Sequence, residues 1–166
     1  MSINHFEYRY SFLSSKHPVN ITYESRIYPS ADNLYWAMIY PDWAEKLSYL
    51  PGADTRQILA VITPPELNRM GVHRMVENFR DSRTNIVPEE TQVSTMRLVT
   101  KLKFDQCPNL RERLIKTNGH KLFNMNTHGD VFWGVVVDDS RTYIGRNWLG
   151  KILMDLRAEY LKETAA

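Results

Sequence analysis

The sequence predicts an α+β fold, mainly helical, with a small β-sheet. In the C-terminal half, apolar residues recur every third or fourth position, which is typical of helices packed on a core. Near both ends of the chain, short stretches are rich in aromatic and β-branched residues, which indicates strands. A length of 166 residues fits one core, so we expect a single domain over residues 1–166.

Composition limits the class of protein. Apolar residues make up 43% of the chain and charged residues 24%, as in ordinary folded domains. The net charge is +2 without a dense basic block, so nonspecific nucleic-acid binding through charge is not expected. The only cysteine, Cys107, has no disulfide partner, which suits a reducing compartment. With no long apolar run and no secretory leader pattern, the sequence predicts a cytoplasmic protein without membrane association.

Three strands are predicted. Aromatic residues alternate with polar ones over Phe6–Leu13, which favours a half-buried strand. A β-branched and aromatic stretch, Ile21–Tyr28, predicts the second strand. The apolar run Val131–Val137 predicts a buried third strand.

Capping residues and prolines predict the helices. Ser30 is a good N-cap and Asp32 falls in the first turn of a helix that runs to about Tyr40. Pro65 opens another helix, since proline suits the first helical position. The last helix has an apolar stripe of Leu149, Ile152, Leu153, Leu156 and Tyr160. After the first helix, the predicted helices are, in chain order, Asp42–Leu50, Asp54–Ile62, Pro65 to about Arg80, Pro88–Phe104, Pro108–Lys116 and about Asn147 to Leu161.

Several catalytic patterns are absent or incomplete. The five histidines are scattered and none is paired at metal-ligand spacing, so no metal site is predicted. Cys107 lacks an identified base, and we expect an inert thiol. The segment from Gly145 to Lys151 matches a phosphate loop but continues with Ile152 where Ser or Thr must hold magnesium. Two interpretations of this turn stay open, an anion site at a helix N terminus and a plain helix start capped by Asn147.

Carboxylates and an aromatic residue suggest one chemistry. Asp130 and Trp133 flank the start of the predicted late strand, and Asp32 opens the early helix. Hydrolysis at a ribose C1′ passes through an oxocarbenium-like cation, which a carboxylate stabilises while a second acid assists the leaving group. The residue pattern permits this reaction without showing it. Asp32 also suits a helix dipole, and Trp133 also suits core packing.

The order of short motifs extends over nearly the whole chain, from about Tyr10 to Arg157, and resembles the NADAR (YbiA-like) family. The matching motifs are Phe12-Leu13-Ser14, Pro29-Ser30, Arg69-Met70-Gly71, Lys103-Phe104-Asp105-Gln106, Leu110 with Leu114, Asp130-x-x-Trp133-Gly134, and Gly145-Arg146-Asn147-x-Leu149-Gly150-x-x-Leu153-Met154-x-x-Arg157.

The resemblance implies an N-glycosidase with a pocket for a phosphorylated ribose bearing an N-linked base. Some family members cleave ribosylamino-pyrimidine phosphates of riboflavin synthesis, and others remove ADP-ribose from modified guanine, sometimes as antitoxins. It implies Asp32 and Asp130 as catalytic residues, with no cofactor and no metal. The implied ligand-binding residues are Ser14, Ser30, Trp36, Arg69, Gly71, Trp133, Gly145, Asn147 and Gly150.

Other segments depart from the family pattern. Where the family has Ser-Glu-His with a catalytic glutamate, this chain has Ala31-Asp32-Asn33, and the Asp32 carboxylate is one methylene shorter. That difference displaces it by about 1 Å, and such a misplacement can cost about 10²-fold in rate. The other departures are Trp36 for glutamine, Ile39 for lysine, Gly71-Val72 for Gly-Arg, Val87-Pro88 for a tryptophan, and Ser14-Ser15-Lys16 for Ser-Asn-Phe.

Three hypotheses for function follow. The first is removal of ADP-ribose from modified guanine, with ADP-ribosylated DNA as substrate and an ADP-ribosyltransferase toxin as partner in an antitoxin-like arrangement. The second is a non-catalytic protein that binds ADP-ribose or the toxin, suggested by the altered positions. The third is an N-glycosidase that acts on ribosylamino-pyrimidine phosphates, which shares the mechanism of the first.

Overall fold

The structure is a computed structural model that describes residues 1–48 and 87–166. The fold class is α+β, as predicted. The chain forms two compact units, one of Met1–His17 with Met96–Ala166 and the other of Pro18–Thr95. The predicted helices Asp54–Ile62 and Pro65–Arg80 lie outside the described residues, as do Arg69 and Gly71. The prediction of one domain over the whole chain stays a prediction.

The described residues form six short strands and five α-helices, with two 3-10 helices at Tyr8–Leu13 and Pro41–Trp43. The strands are β1 (Ser2–Ile3), β2 (Ile21–Tyr23), β3 (Arg26–Tyr28), β4 (Lys121–Leu122), β5 (Val136–Val137) and β6 (Tyr143–Ile144). The helices are α1 (Ala31–Ile39), α2 (Ala44–Leu47), α3 (Glu89–Gln106), α4 (Pro108–Lys116) and α5 (Trp148–Ala165).

Helices α4 and α5 confirm two sequence predictions. Helix α4 spans Pro108–Lys116, the predicted bounds, with proline at its first position. Helix α5 packs against α4 and β4. All five residues of its predicted apolar stripe are buried. Burial of this stripe places α5 in the core of the unit that contains residues 96–166.

The strand predicted over Phe6–Leu13 is wrong, because Tyr8–Leu13 is a 3-10 helix. Strand alternation would bury Phe6, Tyr8, Tyr10 and Phe12 together, whereas Tyr8 is 91% exposed while Phe6 and Phe12 are buried. The strand in this region is instead β1, which pairs in parallel with β4. The N-terminal and late segments therefore do meet in a sheet, through residues other than those predicted.

The predicted strand Val131–Val137 is also mostly wrong. Only its last two residues, β5, are a strand, and they pair antiparallel with β6. The carbonyl groups of residues 131–134 accept hydrogen bonds from residues 146–149 instead. Among the described residues, the expected small sheet is three separate two-stranded sheets.

In the unit of residues 18–95, the predicted strand Ile21–Tyr28 is a hairpin of β2 and β3. Glu24 and Ser25 turn the chain with φ of +46° and +65°, as two-residue hairpin turns require. Helix α1 begins at the predicted N-cap, Ser30, and ends before Tyr40. The helix predicted at Asp42–Leu50 is, over its described part, the 3-10 helix Pro41–Trp43 followed by α2.

The predicted helix Pro88–Phe104 is α3, which starts one residue later and ends two residues later. In the described part of the chain, no helix combines the length and apolarity needed to cross a bilayer.

Candidate active site

The Asp130 carboxylate lies in a tight loop before Trp133. Its Oδ1 accepts hydrogen bonds from the backbone amides of Phe132 at 3.1 Å and Trp133 at 2.9 Å. Within residues 1–48 and 87–166, no group donates a hydrogen bond to Oδ2. One oxygen therefore holds the carboxylate in place, and the other can accept a hydrogen bond from a ligand.

Asn126 anchors both ends of this loop, a role that our sequence predictions missed. Its Oδ1 accepts from the amides of His128 at 3.2 Å and Asp130 at 2.9 Å. Its Nδ2 donates to the carbonyls of Asp130 at 2.8 Å and Val135 at 3.2 Å. The local signal was Asn126 two residues before His128, the spacing of an Asx turn.

The loop also closes the N terminus of helix α5. Four consecutive backbone amides, residues 146–149, donate to the carbonyls of residues 131–134 at 2.7–3.1 Å. Amides at a helix N terminus bind anions when they lack protein partners. Because Trp148 and Leu149 already have such partners, the structure favours the plain helix start over the anion site.

Asn147 occupies the N-cap position without capping the helix through its side chain. It has φ of +52° and is 4% exposed. Its Nδ2 donates to the Leu122 carbonyl at 2.9 Å, and its Oδ1 accepts from the Asn124 amide at 2.9 Å. The side chain thus links the turn to β4, and its predicted role as a ligand contact stays a prediction.

Gly145 and Gly150 allow close backbone contacts around this turn. Gly145 has φ of +139°, and a Cβ there would lie 2.4 Å from the Gly134 carbonyl oxygen. A Cβ at Gly150 would lie 2.3 Å from the Leu122 carbonyl oxygen. Such distances exclude a side chain without backbone movement. The two glycines are therefore explained by packing of the turn, which also explains the incomplete phosphate-loop pattern.

Trp133 follows Asp130 by three residues and is half-buried. Its ring meets Phe132 edge to face, with centroids 4.7 Å apart. The Arg146 guanidinium lies 5.9 Å from the Phe132 ring centroid. A carboxylate, two aromatic rings and a cation therefore occur together in the loops before α5.

Ser30, in the other unit, uses its hydroxyl within the protein. Its Oγ accepts from the Asn33 amide at 3.1 Å and donates to Asn33 Oδ1 at 2.8 Å. Asn33 Nδ2 in turn donates to the Leu47 carbonyl at 2.8 Å, which links α1 to α2. Both side chains are buried, so this network is a structural anchor for α1.

Asp32 is half-buried in the first turn of α1. Burial, then the Asp32 carboxylate and then Tyr40 raise the pKa of Tyr35 far above its usual value. The Asp32 carboxylate thus lies near the buried Tyr35 phenol. The Trp36 ring stacks on Tyr40 with centroids 6.1 Å apart and meets Tyr35 edge to face at 5.0 Å. Helix α1 therefore carries a carboxylate next to an aromatic cluster.

In the described part of the chain, the predicted site residues fall into two groups, with Ser14 apart from both. Asp130, Trp133, Gly145, Asn147 and Gly150 come together in the loops around the start of α5. Ser30, Asp32 and Trp36 belong to α1, and Ser14 ends the 3-10 helix Tyr8–Leu13. In the described part of the chain, no three His, Cys, Asp or Glu residues are grouped to hold a metal. The assigned catalytic and ligand-binding roles stay predictions.

The fold and these loops define an α+β protein in which a loop-held carboxylate lies beside a tryptophan. The chain belongs to the NADAR family, since the NADAR domain model matches residues 3–161. The structure is similar to the NMR structure of E. coli YbiA, with a TM-score of 0.68 at 22% identity, covering 99% of this chain and 86% of that chain. The predicted YbiA-like fold is confirmed.

Relatives include proteins named for riboflavin biosynthesis. The riboflavin biosynthesis protein VVA0006 of Vibrio vulnificus is 29% identical over 150 residues, which is 90% of this chain and 35% of that protein. The chloroplastic riboflavin biosynthesis protein PYRR of Arabidopsis thaliana is 38% identical over 77 residues, 46% of this chain and 12% of that protein. The chain matches about a third or less of the length of these relatives.

Proposed function

We propose that this NADAR chain is an N-glycosidase that hydrolyses the bond between a ribose C1′ and the nitrogen of a base. The Asp130 carboxylate carries the proposal, since two backbone amides hold Oδ1 while Oδ2 takes no hydrogen bond from the described residues. A carboxylate fixed in this way is suited to hold ribose hydroxyls or to stabilise positive charge at C1′.

The reaction breaks the C1′–N bond, and the bonding electron pair leaves with the base nitrogen. The ribosyl group becomes an oxocarbenium-like cation, water adds to C1′, and one water proton is lost while the base nitrogen gains a proton. We assign Asp32 to activate the water or stabilise the cation, and Asp130 to hold the ribose or assist. The two roles are separate proposals: family membership and the surviving carboxylate at the start of α1 support that of Asp32, and the hydrogen bonds that fix Oδ1 support that of Asp130.

The substrate that we favour is a ribosylamino-pyrimidine phosphate of riboflavin synthesis. Relatives in a bacterium and in plants carry riboflavin biosynthesis names, and one of them aligns with 90% of this chain. This reverses the order of our sequence hypotheses, which placed ADP-ribosylated guanine first. The names support the substrate class, and its assignment to this chain is our proposal.

Removal of ADP-ribose from modified guanine is a second candidate. The stacked Trp36 and Tyr40 rings favour it, because stacked aromatic rings suit recognition of a large planar base. With this candidate come the proposed partners, ADP-ribosylated DNA and an ADP-ribosyltransferase toxin, and a cytoplasmic antitoxin-like role. The replacements at Trp36 and Ile39 equally support binding of ADP-ribose without turnover.

Turnover of both substrates by the purified protein tests the proposal. We expect release of the free pyrimidine and ribose phosphate from the ribosylamino-pyrimidine phosphate. Asp130→Asn retains an oxygen for the two backbone amides but removes the charge, and it should lower kcat by about 10²-fold or more. The matched control is Asp139→Asn, an exposed acid, which should leave kcat unchanged.

The outcomes separate the hypotheses. Release of ADP-ribose from modified guanine DNA, with no action on the pyrimidine substrate, would replace the first candidate by the second. Binding of ADP-ribose in calorimetry without release from either substrate would establish the non-catalytic protein. Full activity of Asp130→Asn would remove Asp130 from the mechanism.

A further inference from the structure

Lys103 is a lysine in the core of its unit, 1% exposed on helix α3. A buried amine is costly unless its N–H groups have partners. Its Nζ donates to the backbone carbonyls of Phe12 at 2.6 Å and Ser14 at 2.8 Å. Both distances are short, so these hydrogen bonds tie Lys103 to the segment that ends at Ser14.

These two carbonyls lie at the end of the 3-10 helix Tyr8–Leu13. Carbonyls at a helix C terminus lack partners within the helix, and a lysine is well suited to bind them. Ser14 follows the helix with an extended backbone, φ −68° and ψ 140°. The chain then turns at once, since the His17 amide donates to the Ser14 carbonyl at 3.2 Å. We call residues 14–17 the Ser14 turn.

The segment before the Ser14 turn is held from a second side by helix α4. Arg113 donates to the Arg9 carbonyl at 2.6 Å, and its guanidinium lies 4.1 Å from the Phe12 ring centroid. Ser11 Oγ and His17 Nδ1 are 3.3 Å apart. Arg113 therefore fixes the 3-10 helix Tyr8–Leu13, whereas Lys103 also bonds the Ser14 carbonyl, at which the Ser14 turn begins.

We propose that Lys103 is a positioning residue for ligand binding, which acts by fixing the Ser14 turn at its first carbonyl. The proposal rests on the proposed function because it takes Ser14 as a contact to the ligand. Lys103 itself, being buried, does not touch the ligand. Lys103 affects ligand binding only by holding Ser14 in the position from which it contacts the ligand.

Among the described residues, Cys107, His17 and Arg113 are the titratable groups that bear on Lys103 and the Ser14 turn. Burial lowers the pKa of Lys103, and Cys107, one helical turn further along, opposes that lowering. Burial, then Lys103 and then Arg113 lower the pKa of His17, so the imidazole faces both cations. A neutral amine still has two N–H groups, one for each carbonyl. The turn is therefore expected to stay fixed on either side of the lysine pKa.

A double-mutant cycle in the full chain tests whether Lys103 acts on ligand binding through Ser14. Lys103→Met has a similar length and no donor, and it should raise the KM for the ribosylamino-pyrimidine phosphate by about tenfold with little change in kcat. In a Ser14→Ala background, Lys103→Met should add much less than tenfold, because the contact it positions is already gone. Lys101→Met, on the exposed face of the same helix, is the matched control and should leave KM unchanged.

Equal effects of Lys103→Met with and without Ser14 would overturn the proposal, as would an unchanged KM. If Lys103→Met does not fold, Lys103→Gln, which retains two N–H donors, replaces it in the same cycle with a smaller expected increase in KM. If the wild type processes neither substrate, the proposed function fails. Hydrogen exchange of the backbone amides then tests whether Lys103 holds the Ser14 turn in place. In that case Lys103→Met should speed exchange at Ser14 and His17 but not in α5, and unchanged exchange at these two amides would overturn it.

Discussion

The Asn147 side chain joins the start of helix α5 to strand β4, with its Nδ2 donating to the Leu122 carbonyl at 2.9 Å. The same amide group accepts from the Asn124 backbone through Oδ1. A residue at the N-cap position of α5 thus uses its side chain to link two backbone segments rather than to cap the helix.

Replacing Asn147 with alanine removes both hydrogen bonds and leaves the Leu122 carbonyl and the Asn124 amide without partners. We expect a loss of about 2–4 kcal/mol in the free energy of unfolding, because buried unpaired groups are costly. Urea denaturation measures it. Asn109→Ala, at an exposed position of α4, is the control and should change stability by less than about 0.5 kcal/mol. Equal stability of the two variants would contradict the buried link.

Gly150→Ala tests the close approach of helix α5 to β4. Alanine is normally the better helix residue by about 1 kcal/mol. Here its Cβ would lie 2.3 Å from the Leu122 carbonyl oxygen, so we expect a net loss of stability of more than about 1 kcal/mol. Gly119→Ala is a useful comparison, since it meets nothing within 4 Å and bears only the strain of φ +86°. A more stable Gly150→Ala would mean that the helix and strand lie further apart.

The buried Lys103 predicts a pH dependence of stability. Burial lowers its pKa to about 7, with Cys107 opposing the shift, whereas an unfolded lysine titrates near 10.4. Between these values the unfolded chain binds a proton that the folded chain does not. Stability should therefore rise with pH from about 7 to about 10, by up to about 1.4 kcal/mol per pH unit from this group. Below pH 7 the group should contribute no slope.

Denaturation of the wild type and of Lys103→Met across pH 6–10 measures this contribution. The difference between the two curves isolates Lys103 from other groups that titrate in the same range. We expect the methionine variant to have the flatter profile. Parallel profiles would show that Lys103 keeps its proton in the folded chain.

Ser30→Ala tests the anchor of helix α1. The change removes the N-cap bond to the Asn33 amide and the bond to Asn33 Oδ1. Loss of a cap costs about 0.5–2 kcal/mol, and burial places this site at the upper end. Thermal unfolding compared with Ser94→Ala, an exposed serine of α3, checks it. Equal midpoints would mean that α1 does not depend on the cap.

Some elements were predictable because their signals are local. Helix α4 has the predicted bounds since proline opens it and its apolar residues face one side. The cap at Ser30 and the stripe of α5 are also local patterns. The strand predicted over Phe6–Leu13 failed because aromatic alternation does not show which ring is buried, and Tyr8 is exposed.

In the site, too, the residues with a local sequence signal were predicted and the others were missed. The sequence led to Asp130 and Trp133, and the structure joins them through the bond from the Trp133 amide to Asp130 Oδ1. Our predictions missed that the Asn126 side chain holds the surrounding backbone, because hydrogen bonds from a side chain to backbone carbonyls leave no periodic pattern. At the start of α5 the structure favours the plain helix start over the anion site, because the Trp148 and Leu149 amides already donate to backbone carbonyls.

By itself, the sequence determined the fold class, the family, most helix positions and the order of the motifs, since these depend on local propensity, capping and the period of apolar residues. Only the tertiary structure decided what the motif residues do locally. Lys103 meets Phe12 and Ser14 across 91 and 89 positions of chain, and Asn147 meets Leu122 across 25. Partners so far apart are brought together by packing of the core, and a polar side chain in that core takes whichever backbone groups the packing leaves unpaired.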